Sequence, residues 1–159
     1  MSHVLLPRGP LTDLLVDHLL VHPLITGSGV IVGDAVVDPR AGWTGTQPGQ
    51  GDYVASVVVS TGEASRRDVD TVRSRHESWV CRYGIKSIGG ARQQADYTAD
   101  RARAAVLDLP RIEYDFGTRW RLADIVFSRL APVEVGGPTD APNFAVNDVV
   151  ELWVDRDAR

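Results

Sequence analysis

The sequence predicts an α+β fold, in which two main helices pack on one face of a mostly antiparallel sheet. Two segments have the apolar spacing of amphipathic helices, and several others have the alternation or the β-branched content of strands. The strands cluster around the two helices along the chain, which favours this arrangement. A length of 159 residues favours a single domain spanning residues 1–159.

The first helix is predicted from Pro10 to His22, because Pro10 suits a first helical turn and Pro23 suits a stop. Its apolar face consists of leucines at helical spacing: Leu11, Leu14, Leu15, Leu19 and Leu20. Asp13 and Asp17 lie on the opposite side. The helix should therefore bury one face against the rest of the protein.

Short β-prone runs follow the first helix. Strands are predicted in Gly29–Gly33, in Ala35–Val37 and, with clear alternation, in Tyr53–Ser60. The stretch from Asp38 to Asp52 is rich in glycine and proline and is predicted to be a long loop. A loop of this length within a compact domain is usually functional or mobile.

The polar stretch from Thr61 to Ser78 fits two interpretations equally. It is either a mobile loop or a short surface helix, since Ser65-Arg-Arg-Asp68 resembles a capping box. The clearest strand comes next, from Trp79 to Ser87. Its inward face is predicted to carry Trp79, Cys81, Tyr83 and Ile85, and its outward face Arg82, Gly84 and Lys86.

The second main helix is predicted to begin at Ala91, directly after Gly89-Gly90, and to stop before Pro110. Its apolar face is built mostly of alanine: Ala91, Ala95, Ala99, Ala102, Ala105, Val106 and Leu109. Small side chains let a helix axis lie close to a sheet.

Two more strands are predicted at the end of the chain. Leu122–Leu130 should place Ala123, Ile125 and Phe127 inward, and Phe144–Val154 should place alternate residues inward as well. These inward residues are Val146, Val150, Leu152 and Val154. The segment Pro132–Pro142 between the two strands is predicted to be a loop.

The composition limits the classes of protein that fit. A net charge of −4, with 17 basic and 21 acidic residues, is not the profile of a protein that binds nucleic acid by its overall charge. The single cysteine cannot form an internal disulfide. No apolar stretch approaches the ~20 residues of a membrane span, so we expect assembly in the cytosol and no membrane contact.

Residues that could act in catalysis or bind a metal are better explained by structural roles. His18 and His22 have zinc-ligand spacing, but no glutamate lies between them to act as a base. Cys81 is predicted to face the core, whereas a nucleophilic cysteine is partly exposed. Gly27–Gly33 has the wrong spacing for a dinucleotide-binding loop. No catalytic, metal or cofactor site is therefore predicted.

Tryptophan and arginine supply the candidate interface residues, because both are enriched at protein interfaces. Trp43 and Trp120 lie in or beside predicted loops and either contact a partner or fold back over the sheet. An arginine-rich segment is a nucleic-acid contact, a partner surface or a solvated face with acidic neighbours. The candidates are Trp43, Arg66, Arg67, Arg73, Arg75 and Trp120.

The run from Trp79 to Asp96 resembles one in the tail terminator proteins of long-tailed, siphovirus-type actinobacterial bacteriophages. In that family, a strand ends in a Ser-hydrophobic-Gly-Gly turn, and a small-residue helix bearing Gln-Ala-Asp follows directly. The earlier strand, the closing strand and the N-terminal helix stand in the expected order. The resemblance spans nearly the whole chain as an order of elements, but its specific part covers about 20 residues.

The resemblance implies a virion structural protein and no enzyme or cofactor. Tail terminators assemble as hexameric rings in the host cytoplasm, cap the tail tube, end its polymerisation, and meet the head-side connector (stopper) protein in the virion neck. Double-stranded DNA passes through the lumen without specific binding. An acidic chain suits that passage, because a lumen that repels phosphate does not hold the DNA.

Three alternatives remain open at this point. Another neck protein, such as a head-completion protein, shares the acidic, ring-forming profile. A small cytosolic enzyme would need a convergent polar site in a pocket. A nucleic-acid binding module would be retained on DNA at low salt and released as salt rises.

Overall fold

The computed structural model describes residues 6–26, 31–33, 56–67, 76–136 and 143–157. Its elements, in chain order, are α1 (Arg8–Val21), α2 (Pro23–Thr26), β1 (Ile31–Gly33), β2 (Ser56–Arg67), β3 (His76–Gly89), α3 (Arg92–Leu107), β4 (Glu113–Asp115), β5 (Arg119–Arg129), β6 (Val133–Gly136) and β7 (Asn143–Asp157). None of these helices is long and apolar enough to cross a bilayer.

The seven strands form one sheet in the order β1-β2-β3-β7-β5-β4, with β6 also paired to β7. Among the strands of the described residues, only β1 and β2 run parallel, and every other pairing is antiparallel. β3 pairs with β7 from His76 to Gly89, so β5 and β6 share the opposite side of β7. The predicted α+β class with a mostly antiparallel sheet is confirmed.

Both main helices pack on the same face of this sheet. Leu11, Leu15 and Leu19 of α1 are buried in one cluster with Ala102, Ala105 and Val106 of α3. The sheet contributes to that cluster from β2, β3, β5 and β7: Val57, Val59, Cys81, Tyr83, Ile85, Leu122, Ile125, Val150, Leu152 and Val154. The alanine face of α3 extends the contact, because Ala95 and Ala99 pack with Val146.

The opposite face, here called the open sheet face, consists of the alternate residues of the same strands. Val80, Arg82 and Lys86 of β3 stand there, since each neighbours a core residue in the strand. The β7 residues paired with these are Trp153, Glu151 and Asn147. None of the described helices contributes a residue to a cluster on this face.

Three segments differ from the sequence prediction. Thr61 to Arg67 continues β2 as a strand rather than forming a loop or a helix. It lies at the edge of the sheet and is solvent-exposed on both faces apart from Ala64, so it lacks the alternation that signals a strand. The predicted loop Pro132–Pro142 contains strand β6, and Pro23 starts the short helix α2.

One predicted inward residue is wrong, and a change of register explains it. The pairing of β5 with β7 shifts between Leu122 and Asp124, because β5 has one extra residue at this point. The extra residue interrupts the alternation of inward and outward side chains along β5. Leu122 and Ile125 are consequently buried, and Ala123 is exposed. The predicted strand Ala35–Val37, the loop Asp38–Asp52 and the start of the strand at Tyr53 lie outside the described residues.

Candidate interaction surfaces

The run from Trp79 to Asp96 folds as a strand, a two-residue turn and a helix. β3 ends at Gly89, Gly90 and Ala91 form the turn, and α3 begins at Arg92. The Gly90 N–H donates a 2.7 Å hydrogen bond to Oε1 of Gln94 in the first turn of α3. The glutamine thus folds back on the chain that enters the helix, much as the last residue of a capping box does.

Gly89 is required by close packing rather than by its backbone angles. A Cβ atom at this position would lie 2.7 Å from the Ala95 nitrogen and 3.0 Å from the Gln94 carbonyl carbon. Both atoms belong to the backbone of α3, so neither can move as the end of a flexible side chain would. The glycine therefore allows α3 to fold directly against the strand it follows.

A buried ion pair holds α3 on the sheet further along. Arg103 donates from Nε to Oδ2 of Asp148 at 2.7 Å and from Nη2 to Oδ1 at 2.9 Å. The Ala131 N–H donates to the same Oδ1 at 2.9 Å, where the chain passes from β5 to β6. The hydrogen bond with Asp148 raises the pKa of the Arg103 guanidinium, which keeps it charged. One carboxylate thus joins α3, β7 and the β5–β6 connection.

The open sheet face carries a connected network across β2, β3 and β7. The Arg67 guanidinium carbon lies 4.1 Å from the centre of the Trp153 ring. The Trp153 indole N–H donates to Oε2 of Glu151 at 3.1 Å, and Arg82 Nε donates to Oε1 at 3.1 Å. Trp153 is only partly buried. This network fixes the orientation of a partly buried aromatic ring on the face of the sheet opposite the helices.

The structure describes only part of the predicted interface set. Arg66 and Arg67 lie exposed at the end of β2. Arg66 pairs with Trp79 and Arg67 with Ser78, so the two side chains point to opposite faces of the sheet. Trp43, Arg73 and Arg75 lie outside the described residues. Their interface role therefore stays a prediction.

Trp120 is a correction to that set. Its side chain is 1% exposed and belongs to the main core cluster, so it is not available to a partner in this conformation. The indole N–H donates to Oγ1 of Thr118 at 2.9 Å, and Arg156 lies over the ring with 5.9 Å to its centroid. Of the two interpretations of this tryptophan, folding back against the sheet is the correct one.

His18 and His22 connect the two main helices. Nε2 of His18 lies 2.7 Å from the Ala105 carbonyl oxygen, and Nε2 of His22 lies 2.9 Å from Oδ2 of Asp108. The Leu24 N–H donates to Nδ1 of His22, so the other ring nitrogen of His22 carries the proton and donates to Asp108. Among the described residues, no group of three or more His, Cys, Asp or Glu side chains could hold a metal ion.

Cys81 lies in the core, as predicted. It is completely buried, and this burial raises the pKa of its thiol from 9.0 to about 11. The thiol is therefore protonated at neutral pH and lacks the character of a nucleophile. Asp124, by contrast, is half-exposed and lies 3.8 Å from Arg111, the distance of a loose surface ion pair.

Two residues of these surfaces were missed by sequence reasoning. Asp148 lies two residues from both Val146 and Val150, which are predicted to face inward. Because side chains alternate along a strand, Asp148 should face the core as well. A buried carboxylate requires a partner, so the charge at this position is a signal that could have directed the search to an arginine on the helix above. Trp153 gave a weaker signal, because a tryptophan on the outward side of a strand is compatible with many roles.

Comparisons with known proteins give two similar solved structures and no family. No family model matches the chain, and no curated protein matches it. One similar solved structure is described as the virion of a native gene transfer agent particle, with 19% identity over 89% of this chain and 92% of that one, and a TM-score of 0.46. A second, whose description states no function, has 12% identity over 91% of this chain and 92% of the other, with a TM-score of 0.41.

Proposed function

We propose that this chain is a structural protein of a phage-type virion. More specifically, it is the tail terminator, which caps the tail tube as a hexameric ring, ends tube polymerisation and joins the tail to the head-side connector. The junction between β3 and α3 carries the proposal, because the residues that resemble the family lie there. Double-stranded DNA passes through the ring without being held.

The packing of that junction supports the use of the motif as a structural signature. Gly89 lies where a Cβ atom would collide with the backbone of α3, and Gln94 accepts from the turn that precedes its own helix. The Gly-Gly and Gln positions of the motif thus have physical roles in folding the strand onto the helix. A match that consisted of solvated residues would carry less weight.

The fold also suits a ring subunit. A heterologous ring needs two different patches on each copy. The helices cover one face of the sheet, and the other face carries the Arg67, Trp153 and Glu151 network. The N-terminal helix and the closing strand occupy their expected places at α1 and β7.

A polymerisation assay tests the proposal. Tail tube subunits from the same genome should form tubes of uncontrolled length alone and shorter, capped tubes when this protein is added. Electron microscopy of negatively stained tubes should then show a ring at one tube end. A protein that leaves tube length unchanged and binds the portal complex instead is a head-completion protein, the main alternative.

The enzyme alternative has its own test. Alanine substitution of His18, His22 and Asp124 should leave tube capping intact, since these side chains make hydrogen bonds or a loose ion pair within the chain. The folded fraction of each variant should be checked by its urea unfolding curve. Loss of a measured catalytic activity in a folded variant would instead favour an enzyme.

A further inference from the structure

One edge of the sheet is open along most of β5. β4 pairs with β5 only from Arg119 to Arg121, and the Ile112 carbonyl accepts from the Leu122 N–H just beyond that pairing. From Asp124 onward, β5 pairs with β7 on one side, and no described strand pairs with it on the other. Such a row of unpaired backbone N–H and C=O groups is a template to which a strand of another chain can pair.

The sequence of this edge strand favours such pairing. Ile125-Val-Phe127 is an apolar run of residues with high β-propensity, and Leu130 after it is 61% exposed. Exposed charged residues flank the run on both sides: Arg121, Asp124 and Arg129. Charges that flank a hydrophobic strand commonly limit its aggregation, so the flanking residues have a protective role to explain.

Asp124 acts on the backbone of the edge strand as well as carrying a charge. Its Oδ1 accepts a 2.8 Å hydrogen bond from the Ile125 N–H, directly after the extra residue of β5. An N–H that is bonded within its own strand is not available to a strand of another chain. A second register shift follows between Phe127 and Arg129. Bulges and charged side chains are two ways in which natural proteins keep sheet edges from pairing.

We propose that Asp124, together with the two bulges of β5, keeps this sheet edge from pairing with a strand of a second copy. The inference goes beyond the proposed function and does not depend on it. Strand addition at an open edge competes with any closed assembly, because it joins copies without a fixed number of subunits. The guarded edge therefore leaves association to other surfaces of the protein.

Two substitutions of Asp124 test this role. Asp124→Val and Asp124→Asn both remove one negative charge, but only asparagine keeps a side-chain oxygen that can accept from the Ile125 N–H. Each purified variant should be incubated over a range of protein concentration and followed by light scattering and thioflavin T fluorescence. Asp124→Val should associate at least ~tenfold faster than wild type, whereas Asp124→Asn should stay within ~threefold of it.

Two second substitutions separate edge pairing from net charge. Ser128→Lys places a lysine on the open edge of β5, and Ala104→Lys adds the same charge on α3; both residues are exposed. In the Asp124→Val chain, only Ser128→Lys should restore slow association, because a lysine at a sheet edge opposes strand pairing. Urea unfolding should confirm that every variant is folded. A chain that associates because it is unstable would not be rescued by Ser128→Lys.

Hydrogen exchange locates the contact, since the associated Asp124→Val protein should show new protection of the backbone amides of residues 125–130. Three results would overturn the inference: equal association of the valine and asparagine variants, rescue by Ala104→Lys as complete as by Ser128→Lys, or no new protection in that segment. Freshly purified Asp124 variants should still cap tail tubes, because the edge effect is slow. Failure of wild type to cap tubes would remove the terminator proposal and leave this inference standing.

Discussion

Arg103 of α3 and Asp148 of β7 form an ion pair with two parallel hydrogen bonds, of 2.7 Å and 2.9 Å, between helix and sheet. The Asp148 side chain is 1% exposed and that of Arg103 22%. Removing one partner of a buried ion pair leaves the other charge without compensation, which costs far more than the pair contributes net. The pair should therefore matter for the position of α3 on the sheet.

Asp148→Asn should lower the free energy of unfolding by roughly 2–4 kcal/mol, since Arg103 loses its counter-ion in a largely dry site. Urea denaturation followed by circular dichroism measures the change. Asp100→Asn is the matched control, because Asp100 also binds Arg103, at 3.0 Å, but is 74% exposed. That control should change stability by less than ~0.5 kcal/mol, as exposed pairs usually do. Equal losses would contradict the assigned role of Asp148.

Gly89→Ala should destabilise the protein by about 1–3 kcal/mol, because the added methyl group meets the backbone of α3 at 2.7 Å. Gly9→Ala is a control with a small expected effect. Gly9 lies in the first turn of α1, and a Cβ atom there would have nothing within 4 Å beyond its chain neighbours. Alanine should change stability by less than ~0.5 kcal/mol, because the following Pro10 ring disfavours a helical residue with a Cβ and offsets the helix propensity of alanine. Thermal or urea unfolding of both variants measures the change in stability. A Gly89→Ala protein as stable as wild type would mean that the junction between β3 and α3 is loosely packed.

Trp120→Ala should cost about 3–5 kcal/mol of stability, the usual effect of deleting a buried aromatic side chain. The reason is its place in the core, where it is 1% exposed. Arg66→Ala, at an exposed position of β2, should change stability by less than ~0.5 kcal/mol. A Trp120→Ala protein that unfolds like wild type but fails to assemble would show that Trp120 is an interface residue after all.

Stability should fall in alkali, beginning above pH 9. Burial raises the pKa of Cys81 from 9.0 to about 11, and it raises the pKa of Tyr83 from 10.0 to about 12. Between these values the unfolded chain loses protons that the folded chain keeps, so the free energy of unfolding decreases as the pH rises. Their contribution is complete below pH 9 and is lost as the pH passes through about 11 for Cys81 and about 12 for Tyr83.

The cysteine part of this effect can be isolated. Cys81→Ala should flatten the fall in stability between pH 9 and pH 11 by roughly 2–3 kcal/mol, since two pKa units separate the folded and unfolded thiol. Urea denaturation at a series of pH values measures it. The native thiol should also resist alkylation at neutral pH and react only after unfolding. Rapid labelling of the folded protein would contradict the burial of Cys81.

The parts of the fold predicted best are those whose residues lie half in the core. α1, β3, α3 and β7 each have one buried side, so their periodicity is visible in the sequence. The segment Thr61–Arg67 was misjudged because an edge strand exposed on both faces has no such pattern, and Ser65-Arg-Arg-Asp68 resembles a helix start. Local sequence cannot show that β3 lies beside it.

The candidate surfaces were predicted less well, for physical reasons of the same kind. The predicted inward position of Ala123 is wrong because a single register shift reverses which side chains face inward. No glycine, proline or other turn residue in the sequence marks that shift. The sequence predicts Trp120 in or beside a loop, since the pairing of β5 with β4 at this position is not evident in the sequence. The Arg67 contact with Trp153 joins strands more than 80 residues apart, which only the folded sheet brings together.

The most direct test of the central claim is the position of this protein in the virion. Purified particles should be labelled with gold-conjugated antibodies raised against the protein and imaged by electron microscopy. The terminator proposal predicts label at the head-proximal end of the tail and tubes of uncontrolled length when the gene is disrupted. Label on heads that lack tails, or particles that contain no copy of the protein, would contradict it.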